Sequence, residues 1–90
     1  MTSDEIKQAI LEILAGIAPE GDYARLRPDV PLRDQLDIDS YDYVNVGVAL
    51  HDRLGVDIPE ADYQQLATLH SSVSYLARQL DPDSHAGRPA

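Results

Sequence analysis

The stretch that decides the fold is LDIDSYDYVNVGVALHDRLGVDIPEADYQQLATLHSSVSYL, residues 36–76. Near its start, Asp39 and Ser40 offer side-chain oxygens to the free backbone N–H groups of a helix N-terminus. Residues 41–54 contain no proline that would interrupt the helix. The pattern therefore predicts a helix that begins at this pair and continues to about residue 54.

Two further helices are predicted in the same stretch. Pro59 fits the first position of a short helix that runs to about Leu66. Thr68 can cap the next helix. The apolar residues of that helix recur at helical spacing and form one stripe, which consists of Leu69, Val73, Leu76 and Leu80.

The N-terminal residues predict another helix, over about residues 3–17. Thr2 followed by Glu5 matches a capping box, and Pro19 prevents the helix from continuing. Five apolar side chains fall on one helical face, namely Ile6, Ile10, Ile13, Leu14 and Ile17.

The residues between Ala18 and Asp39 predict a long ordered connection, because they contain three prolines and show little periodicity. A short turn is expected at Leu32 to Leu36. Four apolar side chains are expected to hold the connection against the core, namely Leu26, Val30, Leu32 and Leu36.

Together these elements predict an all-α fold, a four-helix bundle with a long loop between helices one and two and a short third helix. Ninety residues suit a single compact core. We therefore expect one domain over residues 1–80 and a flexible C-terminal tail over residues 81–90, DPDSHAGRPA.

The composition limits the chemistry that the chain can perform. It has no cysteine, so any thiol that it uses must be attached. No apolar run approaches the roughly 20 residues that a membrane span needs, and no basic leader precedes an apolar stretch, so we expect a cytoplasmic protein. The formal charge of -9 disfavours nucleic acid and favours basic protein partners.

The negative charge is concentrated in one part of the chain. Residues 37–62 contain seven acids and one base, Arg53. The acids are Asp37, Asp39, Asp42, Asp52, Asp57, Glu60 and Asp62. This run indicates either a docking surface for basic enzymes or a face that is simply solvated.

The helix that starts at Ser40 has apolar residues on two opposite faces. Tyr43, Val46, Leu50 and Leu54 form one face, and Tyr41, Val44 and Val48 form the other. A small domain cannot surround one helix, so one face is expected to meet solvent and serve as a contact site. The alternative is that Tyr41, Val44 and Val48 cover the long connection.

Residues 36–76 resemble the acyl carrier proteins. The similarity consists of an Asp-Ser pair that opens the second helix, a Leu-Gly-Val-Asp-Ile-Pro exit at residues 54–59, and the two helices that follow. The first helix and the long loop agree in length and pattern. The resemblance implies an acyl-carrier-like bundle in which Ser40 attacks coenzyme A and receives a covalent 4′-phosphopantetheine arm, with a magnesium-dependent phosphopantetheinyl transferase as the catalyst.

The resemblance also assigns roles near Ser40. Asp39 would help the transferase recognise the site, and Asp42 would add negative charge to the first helical turn. The alternative is that Ser40 is only a helix cap and that the two acids are ordinary residues of a helix N-terminus. Calcium is not expected, because an EF-hand loop beginning at Asp37 would need Gly at position 6 and Glu at position 12.

Several residues depart from the family pattern. Asp37 stands where a glycine is usual and Tyr41 where a leucine is usual. Positions that are commonly acidic in the carriers of fatty acid synthesis are Asn45, His51 and Arg53, while Asp52 retains its charge. These departures favour a specialised lipid or polyketide-type pathway. Gly47 replaces a large aliphatic residue and leaves space for Tyr43, Tyr63 or a bound acyl chain.

We therefore expect a free-standing, monomeric carrier and not an enzyme, because His51, His70 and His85 have no evident nucleophile partner in the sequence. Expected partners are the transferase and acyl-loading, condensing or transferase enzymes with basic docking surfaces. The predicted partner surface consists of Tyr41, Asp42, Val44, Val48, Asp52 and Asp62. An aminoacyl or peptidyl carrier and an unmodified acidic interaction module remain alternatives.

Overall fold

The structure is a computed structural model that describes residues 2–80. Regular structure in this range is entirely helical, which confirms the all-α prediction. The α-helices are α1 (Ser3–Ile17), α2 (Leu32–Gln35), α3 (Ser40–Leu54) and α4 (Leu69–Leu80), and two 3₁₀-helices span Tyr23–Arg25 and Glu60–Leu66. The tail expected at residues 81–90 lies outside the described residues.

Helix α1 has the predicted bounds and the predicted capping box. The Glu5 N–H donates to Thr2 Oγ1 at 3.2 Å, and the Thr2 N–H donates to Glu5 Oε1 at 2.8 Å. These two bonds satisfy two backbone donors at the helix start that would otherwise have no intrahelical partner. The local sequence is therefore sufficient to fix where this helix begins.

Helix α3 ends at Leu54 because the next residue adopts a left-handed conformation. Gly55 has φ 72° and ψ 20°, and its N–H donates to the carbonyl of His51 at 2.9 Å. Glycine reaches this conformation without the steric penalty of a Cβ atom. The turn directs the chain away from α3 toward the short helix that follows.

The short third helix is present, but it is a 3₁₀-helix. Pro59 has φ −62° and ψ 150°, which is extended, so it precedes the helix instead of occupying its first position as predicted. Its carbonyl accepts from the Asp62 N–H at 2.8 Å. Thr68 caps the following helix as predicted, because its Oγ1 accepts from the Ser71 N–H at 3.0 Å.

The long connection is ordered by backbone and side-chain contacts. The predicted turn at residues 32–36 is the one-turn helix α2, and the 3₁₀-helix Tyr23–Arg25 was not predicted. Leu32 and Leu36 are buried as expected, and the Leu32 N–H donates to the carbonyl of Ala67 at 2.7 Å. The connection is therefore joined to the residue pair that precedes α4.

The core forms where α1 packs against α3 and α4. It is aliphatic except for Tyr75, in agreement with a chain that has no Phe or Trp. The buried hydrophobic side chains belong to Ile6, Ala9, Ile10, Ile13, Leu14, Leu32, Leu36, Ile38, Val46, Leu50, Val56, Leu66, Leu69, Tyr75 and Leu76. Among residues 2–80, no helix is long and apolar enough to cross a bilayer.

Candidate functional site

Ser40 is the first residue of α3, and its side chain is exposed. The preceding residue, Asp39, is the N-cap, with Oδ1 accepting from the Asp42 N–H at 3.0 Å. Asp42 Oδ2 accepts in return from the Asp39 N–H at 3.1 Å, which completes a capping box. The prediction that Ser40 shares the capping is wrong, because Asp39 and Asp42 perform it.

The capping box leaves the Ser40 hydroxyl uncommitted. Across residues 2–80, this hydroxyl forms no hydrogen bond, and neither do the backbone N–H groups of Ser40 and Tyr41. The N-terminus of a helix carries a partial positive charge and favours a phosphate group. The start of α3 therefore presents a free nucleophile beside backbone donors that suit a phosphodiester.

An apolar strip follows Ser40 along the outer face of α3. Tyr41, Val44 and Val48 are 73%, 45% and 54% exposed, and they are the exposed large hydrophobic residues of the described range. They do not cover the long connection, so the alternative interpretation of these residues is wrong. Exposed apolar surface of this kind is typical of contact sites.

The opposite face of α3 belongs to the core, as predicted. Val46 and Leu50 are buried, and Tyr43 and Leu54 are partly buried against the core. The Tyr43 hydroxyl is buried, and this burial raises the pKa of Tyr43. The assignment of the two faces from helical spacing is therefore confirmed.

Gly47 lies in the buried part of α3 and allows Tyr63 to approach the helix backbone. A Cβ atom at Gly47 would lie 2.7 Å from Tyr63 Oη and 3.0 Å from its Cζ. Tyr63, from the 3₁₀-helix Glu60–Leu66, thus occupies the space that the missing side chain leaves. Of the three occupants considered for this space, the structure places Tyr63 there.

The acids of residues 37–62 differ in what they contact. Asp62 is partly buried, and its Oδ2 accepts from the Tyr75 hydroxyl at 2.8 Å. Burial, reinforced by this carboxylate, raises the pKa of Tyr75 to about 12. Asp42 is engaged in the capping box, whereas Asp52 is exposed. Asp42 and Asp62 therefore both have structural roles, and the sequence did not indicate the one that Asp62 has.

The single base of this acidic region is paired with another helix. Arg53 Nη2 lies 2.7 Å from Glu12 Oε2 of α1, and both side chains are about half exposed. In this ion pair, an acid from outside residues 37–62 offsets the charge of the one Lys or Arg residue in that range. The two residues are 41 positions apart, and no local sequence pattern could have paired them.

The histidines of the described range have ordinary contacts. His51 Nδ1 lies 3.1 Å from Asp57 Oδ1 and 3.1 Å from the carbonyl of Val56. His70 is exposed, and its backbone N–H donates to the carbonyl of Pro28 at 2.9 Å. Within residues 2–80, no group of three or more potential ligands could hold a metal ion. His85 lies outside the described residues.

Comparison with known proteins identifies relatives across most of the chain. The family model "Phosphopantetheine attachment site" matches residues 5–76. The chain is similar to the meromycolate extension acyl carrier protein of Mycobacterium tuberculosis, with 32% identity over 98% of this chain and 76% of that protein. It is 35% identical to the Mycobacterium leprae protein of the same name, over 96% of this chain and 74% of that protein. The acyl carrier protein of Acidothermus cellulolyticus is 33% identical, over 86% of this chain and 90% of the other.

Proposed function

The chain belongs to the acyl carrier protein family, whose members have a phosphopantetheine attachment site, and we propose that Ser40 is the residue that receives the arm. Such a protein is a carrier and not a catalyst. It holds acyl groups as thioesters on covalently bound 4′-phosphopantetheine and interacts with acyl-handling enzymes. The arm supplies the thiol that a chain without cysteine lacks.

The observation that supports Ser40 is its free hydroxyl at the start of α3. In the attachment step, Ser40 Oγ forms a bond to the phosphorus next to the pantetheine of coenzyme A. The phosphoanhydride bond at that phosphorus breaks, the adenosine bisphosphate leaves, and the hydroxyl proton passes to a base of the transferase. The capping box leaves Ser40 Oγ available for this step, because it satisfies the backbone donors of Asp39 and Asp42 without using Oγ.

Asp39 has a second role in this proposal. One of its oxygens, Oδ1, is engaged in the capping box, while Oδ2 has no hydrogen bond among residues 2–80. A free carboxylate oxygen next to the nucleophile can be contacted by the transferase or coordinated by its magnesium ion, since magnesium prefers oxygen ligands. Asp39 thus both fixes the helix start and marks the site.

The proposed partner surface combines the apolar strip with the acids around it. Tyr41, Val44 and Val48 supply apolar contact area, and exposed Asp52 supplies charge. Asp42 and Asp62 contribute their charge although each uses one oxygen in an internal hydrogen bond. This combination fits enzymes that have a basic rim around an apolar contact, such as the transferase and acyl-loading or condensing enzymes.

The cargo that we propose is a fatty acyl chain in a specialised lipid pathway. Two of the relatives described above are named for meromycolate extension, and the acidic positions expected of a general carrier are Asn45, His51 and Arg53 here. We further propose that residues 1–80 form one carrier domain that acts as a free-standing monomer in the cytoplasm.

The test of Ser40 is intact-protein mass spectrometry after co-expression with a broad-specificity phosphopantetheinyl transferase. The wild-type chain should gain one phosphopantetheine, and Ser40→Ala should gain none. Ser3→Ala is the matched control, because Ser3 is the first residue of α1 and also follows a capping residue. A Ser40→Ala chain that still gains the group, or a wild-type chain that gains none beside a modified control carrier, would overturn the proposal.

A salt titration tests the acidic part of the partner surface. The attraction between exposed charges is largely screened beyond about 8 Å at physiological ionic strength, so the affinity of the transferase should fall as salt is added. The measurement is the KM for the apo chain at several salt concentrations. An unchanged KM across the titration would mean that the acids form only a solvated face.

A further inference from the structure

A groove lies beside the attachment site, between the end of α1 and the residues that precede α3. It has a volume of about 580 Å³, and Asp37, on one of its walls, is three residues from Ser40. Its apolar lining includes Ile17, Ala18 and Leu36. The groove is thus separate from the apolar strip of Tyr41, Val44 and Val48, yet it is close to Ser40 along the chain.

The walls of the groove are fixed by hydrogen bonds. The Tyr23 hydroxyl donates to the carbonyl of Ala18 at 2.6 Å. Gln35 Oε1 accepts from the Arg27 N–H at 2.6 Å, and Gln35 Nε2 donates to the carbonyl of Val30 at 2.9 Å. A groove whose walls are already ordered loses little conformational entropy when a ligand enters.

The groove is negatively charged along its rim. Three acids line it, namely Glu20, Asp22 and Asp37. The C-terminal end of α1, which carries the negative end of the helix dipole, also lies here, and its last turn contains no basic residue. Asp22 lies 3.7 Å from Arg25, while Glu20 and Asp37 have no ion pair among residues 2–80. The rim therefore attracts a cation, and the apolar lining suits an aliphatic stem.

Arginine and lysine combine these two properties in one side chain, because an aliphatic stem precedes the charged group. We propose that this groove is a second docking surface, which takes an arginine or lysine side chain of the phosphopantetheinyl transferase that modifies Ser40. The stem would lie along Ile17 and Ala18, and the charge would face Glu20 and Asp37. This inference rests on the proposed function of Ser40.

The position of the groove favours the transferase over later partners. The transferase must bring its active site to Ser40 Oγ, so its surface has to cover the neighbouring residues, which include Asp37. Enzymes that act on the cargo meet the far end of the arm and can remain further from the protein surface. A contact this close to the serine thus serves the attachment step.

The test is steady-state kinetics of phosphopantetheine transfer to the apo chain, with the double variant Glu20→Gln, Asp37→Asn. The control is Asp4→Asn, Asp29→Asn, which neutralises two exposed acids outside the groove and changes the net charge equally. Loss of two exposed charge contacts should raise the KM of the groove variant roughly two- to tenfold relative to the control, with kcat unchanged. Thermal melts establish that both variants fold.

The outcomes separate this inference from the proposed function. If the wild-type chain is modified and the two double variants have the same KM, the groove is not a docking surface, while Ser40 remains the attachment site. If the wild-type chain is not modified at all, the proposed function fails and the inference fails with it. A lower kcat at unchanged KM would also overturn the inference, because the contact proposed here contributes to binding.

A second measurement tests which chemical group the groove accepts. Capped arginine is titrated into isotope-labelled chain, and capped citrulline, which has nearly the same shape without the charge, is the control. Arginine should shift the amide signals of residues 17, 18, 20–22 and 35–37, and citrulline should not. Equal shifts with both compounds, or shifts confined to the acids of α3, would contradict the proposal.

Discussion

Helices α1 and α3 begin in the same way but differ in what surrounds their first serine. Each has 15 residues, a capping box at its start and a serine in its first position. Ser3 and Ser40 are both exposed. Only Ser40 is followed by an exposed apolar strip, which consists of Tyr41, Val44 and Val48. An exposed serine at a capped helix start is therefore found in both helices and does not distinguish them. The exposed apolar strip after Ser40 is the feature that makes α3 the better candidate for the attachment site.

The two helices also differ in how many apolar faces they have. The buried residues of α1 form one stripe, and its remaining surface is largely polar. Helix α3 buries Val46 and Leu50 and exposes Val44 and Val48 on the other side. Burial of the second face would require more protein than this domain has, so the face is available to a partner.

The largest expected effect separates the two faces of α3. Leu50→Ala should lower the free energy of unfolding by about 2 to 5 kcal/mol, because it removes buried methyl groups and leaves a cavity. Val48→Asp should change the free energy of unfolding little, since an exposed side chain makes few core contacts. Denaturant unfolding measures both changes. Val48→Asp should instead slow modification by the transferase.

The control for this pair is Val48→Thr, which keeps the shape of the side chain without adding a charge. It should unfold as the wild type does and be modified faster than Val48→Asp. If Val48→Asp unfolds as readily as Leu50→Ala, the outer face of α3 is part of the core and the partner surface lies elsewhere.

The second prediction compares the two capping residues. Thr2→Ala and Asp39→Ala should each reduce the free energy of unfolding by about 0.5 to 2 kcal/mol, because each removes the acceptor of an N-cap hydrogen bond. Only Asp39→Ala should also lower the rate at which Ser40 is modified. Unfolding curves and modification kinetics on the same samples measure the two effects.

Asp39→Ser separates capping from recognition, because serine is also a good N-cap residue but has no carboxylate. It should restore the free energy of unfolding and leave modification slow. Full recovery of the modification rate in Asp39→Ser would show that Asp39 acts only through the helix start.

The features of this fold that depend on short stretches of sequence could be predicted. The capping box of Thr2 and Glu5, the start of α3 at Ser40 and the two faces of α3 all follow from residues within a few positions of one another. Helical periodicity and cap chemistry are local properties, so a single sequence is enough to read them. The start of α3 at Ser40 was predictable for the same reason, whereas the proposed role of Ser40 as the attachment residue comes from the family resemblance.

The features that depend on distant residues could not be predicted. The pairing of Arg53 with Glu12, and that of Tyr75 with Asp62, are set by how helices pack. The groove beside Ser40 exists only once the end of α1 meets the residues before α3. The exclusive use of Asp39 as the cap did have a local signal, because Asp42 stands three residues later as a capping box requires.

The third prediction uses one glycine in each helix. Gly16 of α1 has open space where a Cβ atom would be, so Gly16→Ala should stabilise the protein by up to about 1 kcal/mol. Gly47→Ala in α3 gains the same helix propensity but must displace Tyr63, so its net effect should be smaller or unfavourable. Denaturant unfolding of both variants tests the difference.

The Tyr63→Ala background shows whether Tyr63 is the cause. In that background Gly47→Ala should become stabilising, as Gly16→Ala is in the wild type, because nothing then needs to move. If Gly47→Ala has the same effect with and without Tyr63, the two residues are not coupled and the contact does not explain the glycine.

The smallest expected effect concerns the capping box of α1 in solution. Hydrogen bonds from the backbone and side chain of Thr2 hold the pKa of Glu5 below its ordinary value of 4.5. The contribution of Glu5 to the free energy of unfolding is therefore present above pH 4.5 and is lost as the pH falls through the lowered pKa. Thr2→Ala removes the side-chain bond but keeps the backbone N–H, so it should return the pKa of Glu5 only part of the way toward 4.5, and Thr2→Ser should keep it low. Carboxyl chemical shifts followed by NMR over an acid titration measure this pKa. If Glu5 titrates at its ordinary value in the wild type, the capping box of α1 is not formed in solution. Helices α1 and α3 would then not begin in the same way.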